Sequence, residues 1–93
     1  MPKKINASHI LVKTEGEAFM ILGELASGKK FEDLAMQKSL CPSKKKGGEL
    51  GWFGRGQMIK EFENAAFMMK KGEISKPIKT QFGWHVIRVN DVQ

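Results

Sequence analysis

A glycine-rich segment in the middle of the chain, residues 40–62, most constrains what this sequence can fold into. It holds five of the ten glycines, the only cysteine and one of the two tryptophans. Glycine adopts positive φ at little cost, so such a run neither continues a helix nor forms an ordinary strand. Between the glycines lie apolar residues that a looping backbone can bring together: Leu50, Trp52, Phe53, Met58 and Phe62. We therefore expect a binding cleft here.

Size and composition restrict the class of protein. The chain has 93 residues, of which 41% are hydrophobic and 28% charged, as in a soluble globular protein. We predict one domain over residues 1–93. Apolar runs stay far below the ~20 residues of a spanning helix, and no signal peptide is recognisable. The single cysteine cannot form an internal disulfide and favours a reducing, cytoplasmic setting.

The net charge of +6 draws the chain toward anionic partners. Lysine dominates over arginine, which weakens a nucleic-acid function because base recognition favours the arginine fork. We predict no specific nucleic acid partner. As an accessory hypothesis, a lysine patch makes weak contact with anionic lipid at the inner face of the membrane. The patch comprises Lys3, Lys4, Lys29, Lys30, Lys44–Lys46, Lys70 and Lys71. Alternatively these lysines only solubilise the protein, with Lys44–Lys46 in a solvated loop; salt-sensitive co-sedimentation with acidic vesicles distinguishes the two.

The part of the chain before the glycine-rich segment predicts one strand and two helices. Residues 5–13 are rich in β-branched and apolar side chains and predict a strand with His9 near its middle. Thr14 can cap a helix whose apolar residues recur at helical spacing and end at Gly28. A second, shorter helix begins at Phe31, with two acids in its first turn.

The part from the glycine-rich segment onward predicts a short strand, a helix and two further strands. The short strand covers residues 50–53, and helical spacing returns over residues 61–69. Residues 74–78 predict an edge strand, since a proline interrupts them. Residues 82–89 predict the last strand, with His85 near its middle. This order predicts an α+β domain in which helices cover a mainly antiparallel sheet.

Pairing the first and last strands as neighbours would bring His9 and His85 together. With Cys41 they could form a cysteine–histidine nucleophile, in which a base lowers the pKa of the thiol. The residues alone favour an ordinary core instead, with both histidines hydrogen-bonded and Cys41 packed as a small apolar group, because buried polar groups in strands are usually simply satisfied. The role of the apolar residues in the glycine-rich segment is undecided in the same way, since they could form part of the core or the wall of a ligand pocket. The spacing of histidines and cysteine matches no recognised metal site, so we expect no metal ion.

Six short motifs, in this order and spacing, resemble the parvulin family of peptidyl-prolyl cis/trans isomerases. They are residues 7–12 (Ala-Ser-His-Ile-Leu-Val), 39–43 (Ser-Leu-Cys-Pro-Ser), 47–53 (Gly-Gly-Glu-Leu-Gly-Trp-Phe), 56–58 (Gly-Gln-Met), 62–63 (Phe-Glu) and 81–87 (Gln-Phe-Gly-Trp-His-Val-Ile). The resemblance implies the FKBP-like superfold, with a four-stranded antiparallel sheet surrounded by about four helices. It also implies a shallow cleft that accepts an X-Pro peptide, without a cofactor.

The resemblance also implies roles for nine residues. In the family, two strand histidines form a hydrogen-bonded pair beneath the site, a cysteine or aspartate lies above them, and a threonine lies near the second histidine. The corresponding catalytic set is His9, Cys41, Thr80 and His85. The corresponding substrate-binding set, which lines the proline pocket and its border, is Ser43, Leu50, Met58, Phe62 and Phe82.

The chemistry of such a site is non-covalent rotation. The peptide bond has a rotational barrier of ~18–20 kcal/mol, and no bond is broken in crossing it. An apolar grip on the proline ring and a polarising neighbour suffice, so Cys41 fits a polarising role better than that of a nucleophile. The implied function is a monomeric folding assistant that acts on proline-containing peptides and unfolded proteins. A non-catalytic chaperone or adaptor that uses the same cleft is the alternative.

The residues after the first strand bear on substrate choice. Phosphate-directed parvulins carry a basic, arginine-containing loop there, and usually an added WW domain. In this sequence Lys13 is followed directly by Thr14 and Glu15, and neither feature is present. We therefore predict no preference for phosphoserine before proline, and a preference for apolar or basic residues instead.

Overall fold

A four-stranded antiparallel sheet in the order β2-β1-β4-β3 lies at the centre of the fold. The structure is a computed structural model that describes residues 2–93. The strands are β1 (Lys4–Val12), β2 (Glu49–Gly54), β3 (Ile78–Thr80) and β4 (Gly83–Val92). The helices are α1 (Glu15–Ala26), α2 (Phe31–Lys38), α3 (Lys60–Phe67) and a 3₁₀ helix (Pro42–Lys46). The predicted α+β class and four-stranded sheet are confirmed, with three α-helices and a 3₁₀ helix described where about four helices were expected.

Helices cover both faces of the sheet and divide the core in two. On one face the strands pack with α3, through Ile5, Ala7, Phe53, Phe62, Ala66, Phe67, Ile87 and Val89. On the other face they pack with α1 and α2, through Ile10, Val12, Ala18, Ile21, Phe31, Leu34, Ala35 and Val86. The alternation of side chains along β1 and β4 supplies both cores at once. None of the helices described within residues 2–93 has the length and apolarity needed to cross a membrane.

The first and last strands are hydrogen-bonded neighbours, the pairing considered from the sequence, and they are the two central strands of the sheet. They run antiparallel, with His9 opposite Ile87 and Leu11 opposite His85. The two histidines are therefore diagonal neighbours on one face of the sheet, a separation that long or aromatic side chains bridge. This register places both histidines on the face that α3 covers.

Helix α1 begins as its sequence predicts. The Thr14 hydroxyl oxygen accepts a hydrogen bond from the Glu17 backbone N–H at 3.2 Å, and the hydroxyl donates to the Glu17 carboxylate at 3.0 Å. This reciprocal pair satisfies one of the free N–H groups at the helix start. The helix ends at Ala26, and Gly28 follows with φ of +105°.

Two predicted segments differ from the structure. The edge strand predicted over residues 74–78 is wrong in its bounds, since β3 covers only Ile78–Thr80. Before it, the Ser75 hydroxyl takes the place of a ladder group by accepting from the Ile87 N–H at 3.0 Å. The chain enters a regular strand only after Pro77, which has no N–H to donate. The solvated loop predicted at Lys44–Lys46 is instead the exposed end of the 3₁₀ helix, which starts at a proline.

Candidate functional site

A cleft of about 550 Å³ opens beside the start of α3, on the face of the sheet that carries the histidines. Its walls come from β1, β2, α3, β4 with the turn before it, the start of the 3₁₀ helix with the segment preceding it, and the connection from β2 to α3. It is lined by His9, Leu11, Leu40, Cys41, Pro42, Leu50, Gln57, Met58, Ile59, Phe62, Phe82 and His85. No lysine, arginine, aspartate or glutamate is among these residues. The cleft therefore suits an uncharged, largely apolar group.

The two histidines form a direct pair in the wall of this cleft. Their Nδ1 atoms are 2.9 Å apart, and their rings stack with centroids separated by 5.0 Å. The Phe62 ring meets both imidazoles edge-on, at 5.5 Å from His9 and 5.6 Å from His85. Such edge-to-face contacts are favourable for aromatic rings. The pair is thus fixed by a hydrogen bond between its members and by an aromatic ring packed against both.

Burial keeps both histidines neutral at pH 7. It lowers the pKa of His9 to about 4, with a further lowering from the neighbouring His85, and it lowers the pKa of His85 to about 4. Desolvation disfavours the charged imidazolium, and two adjacent cations would repel each other. Each ring therefore carries one proton, and one Nδ1 must donate to the other.

The position of Thr80 indicates which ring is the donor. Its hydroxyl oxygen accepts from the Phe82 N–H at 3.1 Å and lies 2.7 Å from His85 Nε2. When Thr80 donates to His85 Nε2, His85 carries its proton on Nδ1 and donates to His9 Nδ1. His9 then carries its proton on Nε2, a buried atom without a partner among the described residues. This order gives the Thr80 proton an acceptor, which the reverse order does not.

Cys41 lies half-buried in the cleft wall as a free thiol. The partners of the histidine nitrogens are each other and Thr80, so neither ring is hydrogen-bonded to this thiol as a nucleophile pair requires. The Ser39 hydroxyl, by contrast, accepts from the Cys41 N–H at 3.3 Å and from the Leu11 N–H at 3.1 Å. This buried serine holds the cysteine segment against the end of β1.

Two glycines allow the backbone to approach the histidine strands closely. Gly48 has φ of +89°, and a Cβ there would lie 2.5 Å from the His9 carbonyl oxygen. Gly83 has φ of +138°, and a Cβ there would lie 2.6 Å from the Val12 carbonyl oxygen. Both positions require glycine, since real side chains do not tolerate such contacts. They set how β2 and β4 enter the sheet beside the site.

A family model described as the PPIC-type PPIase (rotamase) domain matches residues 9–91. The chain belongs to the parvulin family of peptidyl-prolyl isomerases. Foldase protein PrsA 1 of Bacillus cereus is 54% identical over 91 residues, which cover 97% of this chain and 32% of that protein. Foldase protein PrsA of Geobacillus kaustophilus is 52% identical over 89 residues, covering 95% of this chain and 32% of that protein. The chain spans about a third of the length of these curated relatives.

Solved structures agree with the family. A crystal structure of PrsA from Bacillus anthracis superposes with a TM-score of 0.96 at 45% identity, covering 99% of this chain and 43% of that one. The solution structure of NmPin, the parvulin of Nitrosopumilus maritimus, superposes with a TM-score of 0.86 at 48% identity. That comparison covers 96% of this chain and 97% of NmPin. The parvulin fold expected from the sequence is therefore confirmed.

The structure brings most of the predicted site residues of this parvulin together. Those that line the cleft are His9, Cys41, Leu50, Met58, Phe62, Phe82 and His85. Thr80 lies behind the wall, bonded to the second histidine. Ser43 does not line the cleft, contrary to its predicted position. Its hydroxyl oxygen is buried without a partner among the described residues, and its carbonyl accepts from the Gly48 N–H at 2.9 Å.

Sequence reasoning did not select the remaining lining residues: Leu11, Leu40, Pro42, Gln57 and Ile59. Most of them are chain neighbours of a selected residue, beside Cys41 or Met58. Adjacency to a selected residue was the available signal, because these segments are irregular and no periodicity tells which side chains share a face. Ser39 was missed as a supporting residue for the same reason.

Proposed function

We propose that this parvulin domain catalyses cis/trans rotation of X-Pro peptide bonds in unfolded or flexible protein segments, and so assists folding. The observation that carries the proposal is the neutral, hydrogen-bonded histidine pair in the wall of an uncharged cleft. A module that only binds apolar segments has no need of a Thr80–His85–His9 network at its site. The named functions of the relatives, foldase and peptidyl-prolyl isomerase, support the same activity.

Catalysis in this site depends on an apolar wall that holds the proline ring and on the low polarity of the cleft. Leu50, Met58 and Phe62 offer an apolar wall against which the proline ring is held while the rest of the peptide turns. Resonance makes the planar amide more polar than the twisted one, so an apolar, water-poor cleft disfavours the planar ground state. Only interactions stronger in the twisted form than in either planar form lower the barrier. Because rotation breaks no bond, these residues need no nucleophile.

The polar residues orient the site without exchanging protons with the substrate. The histidines are neutral, so neither serves as an imidazolium acid near pH 7. Their hydrogen bond fixes both ring orientations, and the wall they form keeps its shape through the rotation. We assign Cys41 the role of a polarising neighbour of the reacting amide.

We expect Cys41→Asp to retain catalysis within about tenfold of the native rate, because a carboxylate also polarises the amide but cannot form the tetrahedral thiol adduct of a nucleophilic cysteine. The measurement is kcat/KM on an X-Pro peptide by protease-coupled assay, with circular dichroism to verify folding. Cys41→Ala is the matched control that removes polarity and thiol together, and we expect it to be the slower variant. A folded Cys41→Asp protein without activity would contradict the non-covalent role.

The border of the cleft supports a preference for apolar residues next to proline. Leu40 and Phe82 line the cleft and remain 53% and 60% exposed, so both have apolar surface left to contact a peptide. The two arginines of the chain are engaged elsewhere, Arg55 with Glu63 and Arg88 with Glu32. No arginine is thus placed to receive a phosphate in the cleft.

A peptide series tests both the activity and this preference. NMR exchange spectroscopy on X-Pro peptides, with phenylalanine, leucine, lysine, glutamate or phosphoserine before proline, gives each rate of rotation. We expect the apolar peptides to react fastest, followed by the lysine peptide. Fastest rotation of the phosphoserine peptide would contradict the preference. Binding without acceleration of any peptide would instead favour the non-catalytic chaperone or adaptor.

We further propose that the domain acts as a monomer in the cytoplasm and that its unpaired lysines contact anionic lipid. The single cysteine and the net charge of +6 support this proposal. All lysines of the patch are exposed, although Lys29 pairs with Glu24 at 2.8 Å and Lys71 lies 3.5 Å from Asp91. The available charge is therefore smaller than the sequence suggests, and the lipid contact is accessory to the activity in the cleft.

A further inference from the structure

One wall of the cleft is an irregular connection between β2 and α3. Its last three residues, Gln57, Met58 and Ile59, all line the cleft. The connection also contains Gly56, with φ of +87°, and directly follows Gly54. Glycine has more backbone freedom to lose than any other residue, so a connection of this composition keeps one shape only if tertiary bonds hold it.

Besides a local bond from the Gly54 N–H to Gln57 Oε1 at 2.7 Å, two hydrogen bonds attach this connection to Glu63, in the first turn of α3. Its carboxylate accepts one hydrogen bond from the Gly56 backbone N–H and another from Arg55 Nη1, the latter at 3.1 Å. The Arg55 guanidinium in turn lies 4.6 Å from the centre of the Phe67 ring. The Glu63 side chain is only 12% exposed, which is low for a glutamate at the protein surface. Both residues before Gln57 are therefore attached to α3 through one carboxylate.

The attachment links the two halves of the apolar wall. Met58 belongs to the connection, whereas Phe62 belongs to α3 and packs on the histidine pair. Glu63 is the chain neighbour of Phe62 and the hydrogen-bond acceptor for the connection that carries Met58. We propose that Glu63 is a positioning residue, which holds Met58 at a fixed distance from Phe62 so that the wall matches the proline ring. The inference rests on the proposed function, because it takes the ring of X-Pro as the ligand of this wall.

A positioning role predicts a split between binding and turnover. Without the carboxylate the Gly56 N–H loses its acceptor and the connection gains freedom that the peptide must remove on binding. The histidine network is untouched, since Thr80, His85 and His9 share no bond with Glu63. KM and the peptide dissociation constant should therefore rise, whereas kcat should change little.

The test compares Glu63→Ala with Glu61→Ala. Glu61 lies in the same first turn, is exposed, and makes no side-chain hydrogen bond or ion pair among the described residues. Its replacement therefore removes the same negative charge as that of Glu63 but no bond to the connection. We expect Glu63→Ala to raise KM and the NMR-titrated dissociation constant for a phenylalanyl-proline peptide about tenfold, with kcat within about twofold. Glu61→Ala should leave both unchanged. Glu63→Gln, which keeps an acceptor for Gly56, should recover most of the affinity.

Hydrogen exchange of the Gly56 amide provides an independent measurement, and we expect it to accelerate in Glu63→Ala. Should that variant fail to fold, Arg55→Gln serves instead, since it loses the ion pair but keeps the Gly56 bond; a KM raised about threefold supports the role. An unchanged KM in a folded Glu63→Ala protein, or an equal rise in Glu61→Ala, would overturn it. If the native chain accelerates no peptide, the proposed activity is refuted. The positioning role of Glu63 is still tested in that case, because the titrated dissociation constants measure peptide binding without turnover.

Discussion

Replacing Met58 by alanine should lower kcat/KM on an apolar X-Pro peptide by roughly 10- to 100-fold, since even one missing methylene contact in an apolar pocket costs on the order of tenfold or more. Met58 lines the cleft and is only half-buried in the free protein, so its side chain has surface left to offer the proline ring. The measurement is kcat/KM by NMR exchange or protease coupling, together with the free energy of unfolding by chemical denaturation. We expect the loss of activity to exceed the loss of stability by a wide margin.

Met69→Ala is the matched control for this change. Met69 is also half-buried and packs against the same core, but it does not line the cleft. Both variants remove the same atoms and should reduce the free energy of unfolding by similar amounts. Only Met58→Ala should lose activity. Equal activity losses in the two variants would show that the effect passes through stability and would refute the pocket role of Met58.

The sequence also predicts that Phe62→Ala loses most of the activity, but that variant is a poorer test. Phe62 is only 2% exposed and packs against Phe53 as well as both histidines. Its truncation should cost about 3–5 kcal/mol of stability, a large part of what a small domain has. A loss of activity in Phe62→Ala could come from a lost substrate contact or from a lost fold. Met58 is therefore the more informative position.

The pairing of the first and last strands could be inferred from the sequence because each of these strands carries its own signal. Most residues around His9 and His85 are β-branched or apolar, and those of both faces are largely buried. A chain with one such strand at each end gains most by pairing them, and the structure has β1 beside β4. Local sequence also sufficed for the start of α1, where Thr14 and Glu17, three residues apart, form the cap.

The bounds of β3 and the position of Ser43 could not be predicted, since both depend on contacts distant in sequence. The Ser75 hydroxyl replaces a ladder bond to Ile87, which no strand pattern encodes. Ser43 lies in a 3₁₀ helix, where its carbonyl accepts a hydrogen bond from the Gly48 N–H and its hydroxyl is buried away from the cleft. The role of Glu63 escapes a sequence pattern in the same way, because a glutamate in the first turn of a helix has an ordinary electrostatic explanation.

The other large effect is a loss of stability at mildly acidic pH. The pKa of each histidine is lowered from 6.5 to about 4 in the folded chain, so between these values the unfolded chain binds protons that the folded one does not. The contribution of the neutral histidines to the free energy of unfolding is therefore fully present well above pH 6.5, and it is lost as the pH drops toward 4. At pH 4 one such histidine has cost about 3 kcal/mol. The free energy of unfolding, measured by denaturant at pH 7, 6, 5 and 4.5, should fall at each step.

Carboxylates contribute to acid unfolding in a lower pH range than the histidines. The loss of stability caused by the histidines can therefore be distinguished from that caused by carboxylates. The pKa of Glu24 is lowered by hydrogen bonds from Lys29 and then Lys38, so its contribution is lost only below its ordinary value of 4.5. Glu24→Gln should therefore leave the fall between pH 6.5 and 4.5 unchanged. An NMR titration of the imidazole Cε1 protons completes the test, since both rings should stay neutral down to pH 5. Histidines that titrate near 6.5 in the folded chain, or a stability that stays flat to pH 4.5, would contradict a buried neutral pair and with it the order of protons from Thr80 to His9.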